Sequence, residues 1–74
     1  MRLSDTQKKI LKKVDGKAKV TPGDLAHTMK SYPGPISRSL QALEGMGLMV
    51  SQENKAGVTS YSRSAEGSKI AKTL

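Results

Sequence analysis

The chain has 74 residues, no cysteine, and 13 basic against 6 acidic side chains, for a formal net charge of +7. A chain of this length buries only about 60% of its unfolded surface, which excludes an enclosed substrate cavity with a catalytic shell. Without cysteine, disulfides and thiolate metal sites are excluded as well. The charge favours a polyanionic partner, nucleic acid before an anionic membrane.

The amino-terminal stretch does not resemble a secretory signal. Residues 1–13 contain two lysine pairs and no continuous apolar run, so a hydrophobic signal core is lacking. No apolar run in the sequence approaches the roughly 20 residues of a membrane span. We therefore expect a cytoplasmic protein, associated with the nucleoid when bound to DNA.

The first predicted helix begins at Ser4, because Ser4 and Gln7 match the capping box S-x-x-Q. It is predicted to end at Asp15-Gly16. Its apolar stripe has helical spacing and consists of Ile10, Leu11 and Val14. Lysines at positions 8, 9, 12 and 13 cover the remaining surface. They indicate a solvated face, with contact to phosphate groups as the alternative.

Residues 18–20 are too short for an independent strand and are predicted to form an edge strand. A second helix follows, with Thr21 as N-cap and Pro22 at the first helical position. It is predicted to end near Lys30.

A tight break at residues 31–34 separates the second helix from a third, predicted over residues 35–45. The inner face of this third helix has helical spacing and consists of Ile36, Leu40 and Leu43. Gly45 and Gly47 are predicted to stop it.

The carboxyl-terminal third of the sequence reads as a hairpin and a short helix. Alternation over residues 48–53 and β-branched residues over 58–63 predict two strands joined by a loop at 54–57. Ser64 is a suitable N-cap for the last helix, whose apolar face consists of Ile70 and Leu74. The element order predicts a single α+β domain over residues 1–74. Its plan is a winged helix-turn-helix with a three-helix core, a hairpin wing and a short final helix.

The stretch ISRSLQALEGMGLMV, followed by a hairpin and YSRSAEGSKIA, resembles the DNA-binding lobe of MarR-like winged-helix transcription regulators. Those proteins carry a recognition helix of the type S-R-x-L-x-x-L-E-x-x-G-L. The matching positions here are Ser37, Arg38, Leu40, Leu43, Glu44, Gly47 and Leu48. The resemblance implies a winged-helix fold and a DNA-binding regulator. It does not extend to the long flanking helices through which those proteins dimerise, so their dimer mode and ligand pocket are not carried over.

One departure from the family pattern is Arg63. Residues 63–67 stand where the family shows L-T-x-x-G, so Arg63 replaces a buried leucine. Either this strand end is more open than in the family, or Arg63 faces DNA.

The outward face of the third helix carries the predicted base-reading residues. Arginine bonds guanine, glutamine bonds adenine, and alanine contacts the methyl group of thymine. The predicted set is Ser37, Arg38, Gln41 and Ala42. The alternative is that these are ordinary solvent-facing polar residues of a surface helix.

Further contacts to the DNA are predicted around this helix. Backbone amides at its start suit a phosphate group, and Ile36, Ser37 and Arg38 would have to supply them because Pro33 and Pro35 have no N–H. Gly34 is also counted among the DNA-contacting residues. Lys55 at the hairpin tip is the expected wing contact, to phosphate or the minor groove. Arg63 along the strand and Lys30 at the flank complete the predicted set.

The sequence offers no support for catalysis, and we expect neither an enzyme, a cofactor nor a metal. His27 is the only histidine and is interpreted as a partly exposed helix residue. No carboxylate pair stands at a catalytic spacing, and no glycine-rich phosphate loop precedes a helix.

The leading interpretation is a transcriptional regulator that binds double-stranded DNA and forms a homodimer there, because one module buries a modest area. A non-specific architectural DNA binder and a winged-helix protein-interaction module are the alternatives, since a fold does not determine a function. A membrane-surface helix over residues 4–15 is disfavoured, because the core needs its apolar residues.

Overall fold

The computed structural model describes residues 2–14 and 18–74. Within them the chain forms four helices and a two-stranded sheet, in the predicted order. The elements are α1 (Asp5–Lys13), α2 (Pro22–Thr28), α3 (Pro33–Gly45), β1 (Met49–Glu53), β2 (Thr59–Arg63) and α4 (Ala65–Lys72). The α+β winged-helix layout is confirmed. The helix stop predicted at Asp15-Gly16 lies outside the described residues.

The start of α1 is the predicted capping box. The Ser4 hydroxyl accepts from the Gln7 backbone nitrogen at 3.1 Å, and the Ser4 nitrogen donates to the Gln7 side chain at 2.9 Å. These two bonds satisfy amides that a helix start otherwise leaves without partners. The helix ends at Lys13, with Val14 as its C-cap.

Helix α2 begins where predicted and ends at Thr28. A residue with left-handed backbone follows its C-cap. The Thr21 hydroxyl accepts from the Asp24 nitrogen at 3.1 Å. At the other end, Lys30 has φ 53°. The nitrogens of Lys30 and Ser31 donate to the carbonyls of His27 and Ala26, at 3.2 and 2.8 Å. This is a Schellman motif, in which glycine is the usual residue at the position of Lys30.

Helix α3 starts two residues earlier than predicted, at Pro33, with Tyr32 as N-cap. The predicted start at residue 35 is therefore wrong. Proline fits the first helical turn because its missing N–H has no intrahelical acceptor there. Pro33 and Pro35 both lie in that turn. The tight break predicted over residues 31–34 is therefore shorter, because residues 33 and 34 belong to α3.

The end of α3 matches the predicted glycine stop. Gly47 has φ 77°, and its nitrogen donates to the Glu44 carbonyl at 2.9 Å. The Leu48 nitrogen donates to the Leu43 carbonyl at 3.0 Å. The chain thus leaves α3 through a second Schellman motif and enters β1 almost at once.

Strands β1 and β2 pair antiparallel, with Ser51 opposite Tyr61. They are slightly shorter than predicted, since residue 48 precedes β1 and residue 58 precedes β2. The predicted edge strand reduces to one bridge, in which Val20 and Tyr61 exchange two backbone bonds of 2.8 and 2.7 Å. Along β1 only Met49 is buried, so the hairpin projects from the core as a wing.

The core draws apolar side chains from the first three helices and both strands, and it contains the predicted inner faces of α1 and α3. Its buried members are Ile10, Leu11, Val14, Leu25, Ala26, Ile36, Leu40, Leu43, Leu48, Met49 and Tyr61. Among the described residues, no helix combines the length and apolarity needed to cross a membrane.

Helix α4 closes against the junction between α3 and β1. Ser64 caps it as predicted, accepting from the Gly67 nitrogen at 3.0 Å. The Ser64 hydroxyl donates to the Gly47 carbonyl at 2.7 Å, and the Ser64 nitrogen donates to Leu48 at 3.1 Å. Ile70 packs against the core, whereas Leu74 lies beyond the helix and is exposed. The predicted apolar face of α4 is thus confirmed for Ile70 alone.

Candidate nucleic-acid interface

The outer face of α3 carries the predicted reading residues. Ile36, Leu40 and Leu43 are fully buried, which determines the orientation of the helix. At about 100° per residue, Arg38 and Gln41 lie roughly 200° and 140° around the axis from Ile36. Both side chains are exposed. An arginine and a glutamine therefore project from one solvent-facing surface of a rigidly packed helix.

Ser37 and Ala42 border this surface on opposite sides. Ala42 is exposed and Ser37 is half-buried. The Gln41 side-chain nitrogen donates to the Ser37 hydroxyl at 3.4 Å. A bond of this length is at the weak end of the range, so the glutamine amide can exchange it for a stronger partner. The four residues together form one continuous patch with polar donors and a methyl group.

Gly34 lies at the start of the same outer surface. Pro33 and Pro35 have no N–H, and the Ile36 nitrogen already donates to the Tyr32 carbonyl at 3.4 Å. In this first helical turn, all of it described, Gly34 thus carries the only N–H without an intrahelical acceptor. Apart from its chain neighbours and the backbone of α3 itself, no atom lies within 4 Å of where a Gly34 side chain would begin, so another molecule can approach this position.

The wing presents Lys55 at its tip, and an asparagine holds the loop. The Asn54 side-chain oxygen accepts from the nitrogens of Ala56 and Val58, at 2.8 and 3.0 Å. Gly57 has φ 81°, which closes the turn back into β2. Lys55 is exposed and projects from a loop with a defined backbone.

A contact between α3 and β1 holds the wing in position relative to the helix. The Ser51 hydroxyl donates to the Glu44 carboxylate. Glu44 lies in the last turn of α3, and Ser51 lies near the middle of β1. The hairpin is therefore tied to the helix that carries Arg38 and Gln41.

Arg63 stands apart from these residues. Its guanidinium donates to the Leu11 carbonyl at 2.9 Å, and its Nε is buried without a partner among the described residues. Arg63 therefore links β2 to the last turns of α1.

The remaining predicted residue is Lys30, which lies exposed in the turn between α2 and α3. Tyr32 in the same turn is not among the predicted contacts, although its side chain is 80% exposed. The feature of the sequence that could have indicated it is an aromatic residue directly before the proline that begins α3. The turn thus presents a cation and a phenol beside the start of the outer surface.

Three helices, a turn between α2 and α3, and a wing tied to α3 define a winged helix-turn-helix lobe. Solved structures confirm the fold. ZitR from Lactococcus lactis superposes with a TM-score of 0.86 at 23% identity, over 99% of this chain and 51% of that one. The adhesin competence repressor AdcR from Streptococcus pyogenes has a TM-score of 0.86 at 19% identity, over 97% and 55%.

The transcriptional regulator BldR from Sulfolobus solfataricus also has a TM-score of 0.86, at 19% identity, over 99% of this chain and 53% of that one. These neighbours are MarR-family winged-helix regulators, so the resemblance is confirmed for the fold. The chain spans about half the length of these proteins. No protein-family model and no curated protein matches the sequence.

Proposed function

We propose that this chain binds duplex DNA as a regulator of transcription, with α3 in the major groove. The observation that carries the proposal is the exposure of Arg38 and Gln41 on one face, opposite a fully buried apolar face. The major groove is about 12 Å wide, which is enough to admit an α-helix. The thirteen residues of α3 make a helix about 20 Å long. The small side chains of Ser37 and Ala42 let the helix lie close to the bases.

The flanking residues supply backbone contacts in this arrangement. Lys55 reaches the phosphates or the minor groove from the wing, and Lys30 reaches the backbone from the turn before α3. Gly34 offers an amide to a phosphate oxygen. The net charge of +7 provides the sequence-independent attraction on which DNA binding relies. Arg63 is not among the proposed DNA contacts, because its guanidinium donates a hydrogen bond to Leu11 of α1.

The structural neighbours support the same function, since one is described as a repressor and another as a transcriptional regulator. A homodimer on DNA belongs to the proposal, because a single module of this size buries too little area for high affinity. Sedimentation of the chain with and without a bound duplex measures that stoichiometry. The cytoplasmic location predicted from the sequence belongs to the proposal too.

The test is selection of bound sequences from a random duplex library, followed by the double variant Arg38→Ala/Gln41→Ala. We expect the variant to lose about 1–3 kcal/mol of affinity for each base contact on the selected sequence. Its affinity for unrelated duplex should change much less. Lys72→Ala is the control, because it removes one charge from an exposed position on α4.

The other outcomes identify the alternatives. Binding of all duplexes with equal affinity would point to an architectural DNA binder. Absence of duplex binding at physiological salt would point to a protein-interaction module with an acidic partner. An equal loss on selected and unrelated sequences would show that Arg38 and Gln41 do not read bases.

A further inference from the structure

A second basic feature lies between α1 and the turn that precedes α3. It is a cleft of about 500 Å³. Three lysines and three hydroxyl-bearing residues line it: Lys9, Lys13, Lys30, Thr6, Thr28 and Ser31. None of the described residues lining the cleft carries a carboxylate.

The lining has the chemistry of an oxyanion site. Lysine ammonium groups are donors without acceptors, and hydroxyl groups can also donate to an anion. Lys9 and Lys13 are one helical turn apart and repel each other, and Lys30 approaches from a different element. Bringing three like charges to one cleft is unfavourable in the free protein. A bound anion relieves this repulsion.

The position of the cleft relates it to DNA. Lys30 and Ser31 immediately precede α3, and Ile36 from its first turn also lines the cleft. The wing follows the opposite, carboxyl end of α3. Basic groups thus lie at both ends of a helix about 20 Å long.

We propose that this cleft binds a backbone phosphate of duplex DNA, at the end of α3 opposite the wing. The inference rests on the proposed function and adds Lys9 and Lys13 to the DNA contacts. It assigns the two lysines a role that the sequence left open between a solvated face and a phosphate contact. A second backbone anchor determines how α3 lies along the groove, because phosphate contacts position a protein on the duplex.

Helix α1 contains its own matched control. Lys8 and Lys12 have the same spacing and are also exposed. They lie toward a different side of α1, beside Thr73 and Leu74 at the carboxyl terminus, where Lys9 also borders the surface but Lys13 does not. The double variants Lys9→Gln/Lys13→Gln and Lys8→Gln/Lys12→Gln therefore change the net charge and helix composition identically.

The experiment measures binding to a mixed-sequence duplex of about 20 base pairs, roughly two helical turns, between about 50 and 200 mM salt. We expect Lys9→Gln/Lys13→Gln to bind about tenfold more weakly at the higher salt, from two lost ion pairs. Its salt slope should fall by about 1.8, or 0.9 for each lost phosphate contact. Lys8→Gln/Lys12→Gln should change the slope much less, because separated charges are screened within about 8–10 Å.

If the two double variants changed duplex affinity and salt slope equally, the proposed phosphate site in the cleft would be overturned, because the effect would be one of overall charge. In that case duplex binding by the parent chain, and its loss in Arg38→Ala/Gln41→Ala, would still support the proposed function. If the parent chain binds no duplex, both proposals fail. If the parent chain binds duplex and only Lys9→Gln/Lys13→Gln lowers the salt slope, the inference holds. This is so even if the parent chain binds all duplex sequences with equal affinity.

A titration with inorganic phosphate distinguishes a backbone phosphate from a free anion. Amide shifts around Lys9, Lys13 and Ser31 at low millimolar phosphate, with unchanged duplex binding by the cleft variant, would overturn the DNA contact in favour of a small anion. Loss of duplex affinity in the cleft variant, with phosphate binding only weakly, supports the backbone assignment.

Discussion

Lys30 and Gly47 occupy the same position in two successive helix ends. Each is the left-handed residue of a Schellman motif, with φ 53° for Lys30 and 77° for Gly47. The first motif turns the chain from α2 into α3, and the second turns it from α3 into β1. Glycine adopts this conformation freely, whereas a lysine pays about 1–2 kcal/mol for it. A charged residue thus stands in the helix-turn-helix turn at a cost in stability.

The first prediction concerns this residue. Lys30→Gly should raise the free energy of unfolding by about 0.5–1 kcal/mol, because relief of the left-handed strain exceeds the flexibility that glycine adds to the unfolded chain. The same change should weaken duplex binding through loss of the charge. Urea denaturation and a binding titration measure the two effects.

Lys30→Ala is the control for this prediction, since it removes the charge and keeps the strain. It should weaken DNA binding as much as Lys30→Gly without the gain in stability. A Lys30→Gly variant less stable than the parent would show that the turn is not strained.

The second prediction concerns the approach of α4 to the end of α3. A Cβ atom on Gly67 would lie 1.9 Å from the Leu48 carbonyl oxygen, a contact that backbone atoms cannot relieve locally. Gly67→Ala should therefore displace α4 and lower the free energy of unfolding by more than about 3 kcal/mol, as severe overpacking does. Thermal or urea denaturation measures the loss.

Gly45→Ala provides the matched substitution. Gly45 is the last residue of α3, and no atom outside its chain neighbours and the helix's own backbone lies within 4 Å of where its Cβ would stand. Alanine should stabilise that helix by about 0.5–1 kcal/mol. If the two alanine variants had similar stabilities, the close contact between Gly67 and Leu48 would be disproved.

The third prediction separates Arg63 from the DNA contacts. Arg63→Met keeps the aliphatic stem and removes the bond to the Leu11 carbonyl. It should destabilise folding by about 1–2 kcal/mol and leave the salt slope of duplex binding unchanged. The measurements are urea denaturation and binding titrations at several salt concentrations.

Lys55→Met removes the same charge from the wing tip and should behave in the opposite way. Stability should stay constant, and the salt slope should fall by about 0.9 for one lost phosphate contact. A fall in slope for Arg63→Met as large as that for Lys55→Met would restore Arg63 to the interface.

The fourth prediction concerns the loop that carries Lys55. Asn54→Ala removes the acceptor for the nitrogens of Ala56 and Val58, so the wing tip should lose order without global unfolding. Amide hydrogen exchange at these two residues should speed up, while exchange in α1 stays constant. Asn54→Asp retains an acceptor and should keep slow exchange; fast exchange in that variant would contradict this role.

Local patterns were enough to predict most elements of the fold. The capping box at Ser4, the caps at Thr21 and Ser64, and the glycine stop at Gly47 act within a few residues of their own positions. Helical spacing likewise identified the inner face of α3 and, by exclusion, the outward positions of Arg38 and Gln41. The start of α3 was missed because Pro33 suits both a turn and the first turn of a helix.

What the sequence by itself determined is the order of elements, the buried faces of α1 and α3, and the basic charge. What only the tertiary structure decided is which distant residues meet. Arg63 reaches Leu11, 52 positions away in sequence, and Gly67 comes against Leu48. The cleft joins Lys9 and Lys13 of α1 with Lys30 of the turn before α3. The physical reason is that helix periodicity and capping depend on neighbours a few positions away. Contacts between separate elements depend on how their apolar faces pack together.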